Sequence, residues 1–242
     1  MAINANLLSP RQSDRRLFLI SAIAFPLLVL IGYAKSYYFS AFFDVKPVAN
    51  ALVHAHGVVM SAWVLYFVAQ VALIRSKNVK LHMTLGMAGV ALAALVVLVG
   101  LATAYDAQLV RQSAPPGVDP HEFFILPAGD MLLFVIYFAG AIYYRKRPLE
   151  HKSLMLMTAI NFLPAALFRI PLVPESYALL FTFGVPALMA IFCLVWLKLK
   201  HGKFNRIFAA AILLYLIALP FPFRMAFAET AIWHSFTNWL VS

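Results

Sequence analysis

The chain is 242 residues long, 64% hydrophobic and only 12% charged. Soluble domains are about 45–50% apolar and about 25% charged, while disordered chains are poor in apolar and aromatic residues, so both classes are excluded. The formal net charge of +10 does not mark a nucleic-acid binder, because its placement follows a membrane rule.

A helix rises about 1.5 Å per residue, so about 30 Å of hydrocarbon takes about 20 mostly apolar residues to cross. Apolar runs of that length predict seven spans, near 16–36, 48–74, 81–105, 122–144, 152–172, 176–198 and 205–223. No loop between them can hold a soluble domain, so residues 1–242 read as one all-α membrane bundle. Residues 1–14 read as a short polar tail. Arg15 and Arg16 precede the first apolar run, but residues 17–34 are long for a signal-peptide core and no small-x-small cleavage site follows. This predicts an uncleaved first helix. Residues 224–242 are too short and mixed to span; Trp233, Phe236 and Leu240 fall at helical spacing and predict an interfacial helix.

With the N-terminus inside, the inner face carries Arg11, Arg15, Arg16, Arg75, Lys77, Lys80, Arg145, Lys146, Arg147, Lys152, Lys198, Lys200, Lys203 and Arg206. The outer face keeps only Lys35, Lys46, Arg111, Arg169 and Arg224. This asymmetry predicts N-terminus in and C-terminus out in a bacterial inner membrane, with anionic lipid headgroups as partners of the inner face. Pro26, Pro164, Pro186 and Pro220 lie inside spans, where proline kinks a membrane helix and frees carbonyls.

Cys193 is the sole cysteine, so there is no intramolecular disulfide or thiolate cluster, and no Cys-x-x-Cys-His motif attaches a haem covalently. Chemistry therefore falls to the histidines. His82 and His151 open the third and fifth spans in similar phrases, Lys80-Leu81-His82-Met83-Thr84-Leu85 and Glu150-His151-Lys152-Ser153-Leu154, 69 residues apart. His54 and His121 open the second and fourth, 67 apart. Residues 48–105 and 121–172 thus read as two copies of one hairpin, each with an outer and an inner histidine. The layers are separated by about 28 Å of helix. Two imidazoles per layer, one from each hairpin, suit the axial positions of haem iron. The expected pairs are His54 or His56 with His121 outside, and His82 with His151 inside. His54 shares a helix face with Gly57 and Ser61, His56 with Met60, Trp63 and Gln70, and the pattern does not choose between them.

Asp130 lies about 13 Å into the fourth span, where a carboxylate should face the bundle interior. Asn161 lies at similar depth and Arg169 is the nearest cation by this reading. A proton relay, a propionate- or substrate-binding group and an interhelical hydrogen bond all fit them. Met83, Met87, Met155 and Met157 lie near the inner histidines, as copper(I) ligands or as packing.

The stretch His54-Ala55-His56-Gly57, Trp63, Gln70, Leu81-His82 with Leu85-Gly86, then Pro127-Ala128-Gly129-Asp130-Met131, His151-Lys152-Ser153-Leu154, Pro164 and Arg169 resembles an uncharacterised bacterial family of polytopic membrane proteins. The resemblance covers about residues 48–172 and implies that these polar residues serve one site. More distantly, the order of histidines is similar to that of transmembrane di-haem b-type cytochromes of the ferric-reductase type, which pair histidines of the first with the third and the second with the fourth of four helices. The seventh span and the helix-end position of the inner histidines depart from that pattern.

The leading expectation is therefore a seven-helix protein binding haem b and moving electrons across the bilayer, with a redox partner or a homo-oligomer around it. Two others use the same residues. One is a non-enzymatic copper- or zinc-handling or oxidase-assembly factor. The other is a zinc hydrolase with His54, His56, His121 and Asp130 around the metal.

Overall fold

The computed structural model describes residues 10–43, 45, 48, 50–170 and 174–242, with backbone alone at 10–15 and 175. Residues 1–9 of the expected tail, Lys46, the side chains of Arg11 and Arg15, and the end of the expected fifth span at 171–172 lie outside that description.

Among the described residues every regular element is a helix. α1 runs Pro10–Tyr33 and continues in a wide turn to Tyr38; α2 is Ala51–Arg75; α3 is Val79–Ala104 with a wide turn to Val110. The short α4 (Pro120–Phe123) leads into α5 (Ile125–Tyr143). α6 (Pro148–Ile160) and α7 (Leu163–Leu167) follow, then α8 (Glu175–Leu179) and α9 (Val185–His201). α10 (Arg206–Ile217), α11 (Met225–Ala228) and α12 (Ala231–Val241) complete the chain. Several starts are local. The side chains of Asn50, Asn78, Asn205 and Thr230 each accept a hydrogen bond from a backbone N–H of the first turn they cap. α1 begins at Pro10, inside the expected tail, because proline is well suited to a first helical position.

Five helical stretches are long and apolar enough to cross a membrane: Arg16–Tyr38, Ala51–Arg75, Val79–Val110, Pro120–Tyr143 and Ser176–His201. A sixth is added if Arg206–Ile217 and Pro220–Ala228, bent by 63° at their junction, count as one. Seven spans were expected, with Pro164 and Pro220 kinking the fifth and the seventh; the seventh is that bent pair, and the fifth is broken into helices too short to count. Pro164 has no N–H to offer the Ile160 carbonyl, and its ring crowds the turn before it. The chain responds at Asn161–Phe162: the Phe162 N–H bonds the Ala159 carbonyl at 3.2 Å, a tighter turn, and the helix restarts as α7. This interrupted segment is nevertheless the most enclosed part of the protein, with Met157, Thr158 and Ala166 at 0% exposure.

The other long helices surround it. α1 packs on α2 and α9, α2 on α3, α3 on α5, and α9 on α10. The Tyr137 hydroxyl closes the ring from α5 to α10, donating to the Ala211 carbonyl at 3.1 Å. Inside, Leu156, Met157 and Ile160 join a core with α5, α9 and α10, while Ala159, Leu163 and Leu167 join one with α1 and α2. Phe162 stacks on Phe134 in a third, with Trp63 and Val96.

Three contacts bring the basic loops to one end. The Lys152 ammonium lies 5.1 Å from the centre of the Phe18 ring, Asn205 donates to the Ser153 hydroxyl at 3.3 Å, and the rings of His82 and His151 sit side by side. The start of α1 and the α2–α3, α5–α6 and α9–α10 connections therefore share that end.

The tightest approach to a backbone atom is at Gly32, where an added Cβ would lie 2.4 Å from the carbonyl oxygen of Ala166 in the central segment. Gly86 has nothing within 4 Å. Gly32→Ala should destabilise by about 1–3 kcal/mol, whereas Gly86→Ala should stay within about 0.5 kcal/mol of the parent. Thermal unfolding of the two variants in one detergent checks the contrast.

Candidate functional site

Each inner histidine is the fourth residue of its helix: His82 in α3, which starts at Val79, and His151 in α6, which starts at Pro148. The shared position puts both side chains one turn in from the basic end. Their ring centroids are 6.4 Å apart and the planes are near perpendicular, at 80°. The Nδ1 of His151 is 2.8 Å from the Ala141 carbonyl, an acceptor, so Nδ1 carries the hydrogen and the neutral ring keeps its lone pair at Nε2. His82 lacks that tie: its Nδ1 is buried with no hydrogen-bond partner. The inner pair expected from the repeat is thus assembled, with one ring fixed by backbone and one ring free.

The outer histidines each have separate business. Exposed His54 receives the Tyr37 hydroxyl, 3.2 Å from its Nδ1, and Tyr38 meets the Ser61 hydroxyl at 2.8 Å. Gly57 makes room for this, since a Cβ there would lie 2.4 Å from the Tyr37 ring. His56 takes the inward face of α2, the one that buries Trp63 and Gln70, and is close enough to Arg169 for the two to interact electrostatically. His121 sits in α4 with its Nε2 3.5 Å from the Gln112 amide nitrogen, while its carbonyl accepts the Trp233 indole N–H at 2.8 Å. No described contact joins His54 or His56 to His121. Among the described residues no three His, Cys, Asp or Glu side chains are grouped to hold a metal ion, so the expected four-residue zinc set of His54, His56, His121 and Asp130 is not gathered. The thioethers do not gather either. Met83 and Met87 are 62% and 74% exposed on the outside of α3, while Met157 is sealed in the core.

Asp130 does face inward, as expected, but its cation is Arg224 rather than Arg169. Arg224 Nη1 is 2.9 Å from Asp130 Oδ1 and also donates to the Ala218 carbonyl at 2.9 Å. Nη2 donates to the carbonyls of Ile125, at 2.9 Å, and Leu126. The guanidinium lies directly on Gly129, where a Cβ would come within 2.6 Å of Nη2, which explains glycine beside the acid. Asn161 joins as expected, its amide donating to the Asp130 carbonyl at 2.8 Å. Arg169 instead covers the Tyr33 ring, 4.5 Å from its centre, and borders an open depression with Gly32, Lys35 and Ser36.

The acids of the opposite end are bonded as well. Asp106 accepts from Asn50 and Arg111, both at 2.8 Å, tying the start of α2 to the end of α3, and Glu122 lies 3.4 Å from His234. α12 rests on α4 and on the turn after α3, where the Tyr105 hydroxyl donates to the Leu240 carbonyl at 3.0 Å. The expected helical tail is therefore present, packed as a cover over His121.

Comparison with family models, with curated proteins and with solved structures returned no match, so geometry alone carries the functional reading. Arg224→Ala should cost about 2–4 kcal/mol, because it leaves a half-buried carboxylate and three carbonyls without their donor. Arg169→Gln should cost about 1 kcal/mol or less, as it removes a partly solvated cation–π contact. Melting temperatures of the two variants in detergent measure the difference.

Proposed function

We propose that this is a seven-pass membrane protein that holds one b-type haem between His82 and His151 at its basic, cytoplasmic end. The seven passes are the six helical stretches of spanning character and the buried α6–α7 segment. That segment covers 20 residues, and at about 1.5 Å each it reaches about 30 Å. The shared end of the basic loops supports the orientation by the positive-inside rule.

The observation that carries the reading is the facing of His82 and His151 from corresponding turns of two hairpins. A haem asks the protein for only two axial ligands, since the macrocycle supplies the rest. Two imidazoles with no third His, Cys, Asp or Glu grouped with them among the described residues fit that demand better than they fit a zinc site, which takes at least three protein ligands. The His151 ring is oriented by its hydrogen bond to Ala141, leaving Nε2 to coordinate. His82 contributes a ring with no competing bond at Nδ1. Lys80 in the first turn of α3 and Arg145 and Arg147 on the loop before α6 would offer cations for propionates. When bound, haem supplies a one-electron couple whose potential follows its ligands and burial. A single haem held at one end would exchange electrons with a redox partner on that side. The transmembrane relay first expected would need an outer pair.

The absorption spectrum of protein purified in detergent tests this. A Soret band with a sharpened α-band on reduction is expected, lost in His82→Ala and in His151→Ala but retained in His54→Ala and His121→Ala. A colourless protein, or a band that survives both inner variants, overturns the reading. Stoichiometric copper or zinc in a colourless sample would transfer the same two histidines to a metal-handling role.

A further inference from the structure

Two interrupted helices meet at one place. The break in the central segment, at Asn161–Phe162 ahead of Pro164, and the break after α10, at Pro220–Arg224, both border Asp130. Between them lies a small cavity lined by Asp130, Pro164, Phe183, Tyr215, Pro220 and Arg224, with about 10 Å³ of room for the centre of a water molecule, enough for one. Two of the lining residues carry buried polar atoms without partners, the Tyr215 hydroxyl and Arg224 Nε, and the neighbouring Asn161, bonded to the Asp130 carbonyl, has its Oδ1 unpaired as well. Tyr215 is 4% exposed and Asn161 1% exposed. Buried groups left unpaired by protein atoms are ordinarily satisfied by internal water.

We propose that this is a hydrated proton-binding site in which Asp130 takes up and releases a proton through a water held by Tyr215 and Arg224. The arrangement of Arg224 suits that role. Its guanidinium is anchored by the carbonyls of Ile125, Leu126 and Ala218, so it stays in place whether Asp130 is charged or neutral. The carboxylate is held far less firmly, by one hydrogen bond at Oδ1 among the described residues. A proton from solvent reaches the free carboxylate oxygen through the bound water, which gains one proton as it passes one on, and the Asp130–Arg224 ion pair becomes a neutral acid beside a cation. The charged and titratable groups facing Asp130 are Arg224 from the segment after α10, Tyr215 from α10 and Tyr137 from α5, whose hydroxyl is committed to Ala211. The central segment contributes only the neutral Asn161. In membrane proteins discontinuous helices and intramembrane ionisable residues mark ion and proton sites. This site is separate from the inner histidines and does not depend on haem.

Infrared difference spectroscopy of the full chain, acidified stepwise in detergent, tests the proposal. The C=O stretch of a protonated carboxyl should appear on acidification, shift in D2O, and be lost in Asp130→Asn. It should persist in Tyr215→Phe at a shifted frequency, as one hydrogen-bond partner is removed. If Asp130→Asn does not fold, a chain with Asp14, Asp44, Asp106 and Asp119 all changed to Asn and labelled with 13C-aspartate should keep the isotope-shifted band. No aspartate band in the parent, or a band that Asp130→Asn retains, would overturn the proposal. An unshifted band in Tyr215→Phe would remove Tyr215 and its water from the site.

Discussion

In hydrocarbon a backbone carbonyl freed from its helix has no water to turn to, so every break in a spanning helix must bring its own donor. Arg224 is that donor here. It lies at the bend after α10 and reaches across to α5, 94 residues earlier, where it serves two carbonyls and the Asp130 carboxylate while also serving Ala218 on its own segment. Without such a cation the bend and the acid would each be costly at this depth. With it, each answers the other: the acid neutralises the guanidinium, and the guanidinium fills the gap in the backbone. Gly129 is part of the same solution, because any side chain there would occupy the place of Nη2.

The second break is handled differently. Pro164 interrupts a largely buried segment, and apolar packing holds the two pieces in place. Phe162 stacks on Phe134, Leu163 sits with Phe25 and Phe67, and the Asn161 amide reaches the Asp130 carbonyl. The two hairpins thus differ in their second helix. α2–α3 is regular and belongs to the ring, whereas α5–α6 turns its second helix into the centre. The divergence falls one residue type at a time: the position 69 residues before Pro164 is Leu95, which leaves α3 unbroken. His82 and His151 each stand in the first turn of their helix, ahead of the position where the two helices differ.

What the sequence could show followed from how local the physics is. Long apolar runs report lipid as solvent residue by residue, so α1, α2, α3, α5 and α9 were all legible within a few residues. The inner pair was legible because a repeated phrase places two side chains at one helical position. The partner of Asp130 was not, because Arg224 comes after a bend of 63°, in a stretch that reads as an interfacial tail, and hydropathy windows do not see bends. The outer histidines misled for a related reason. Depth along a helix is set by sequence number, but azimuth and tilt are set by packing, and Tyr37 and Tyr38 settle on the His54 face through Gly57 and Ser61.

One sequence signal would have found Arg224. The basic residues concentrate at one end of the bundle, so those away from it need individual explanations. Arg111 has Asp106, Arg169 has the Tyr33 ring, and Arg224 has Asp130. The first two lie at the opposite end, with side chains that reach the surface. Arg224 is the one whose side chain is nearly enclosed, at 12% exposure, and a cation so placed in a lipid-dissolved bundle demands an anion beside it. Only Asp130 among the acids lies deep within a span. The charge asymmetry that reports topology therefore also reports, through its single deep exception, where the interior of the protein is polar.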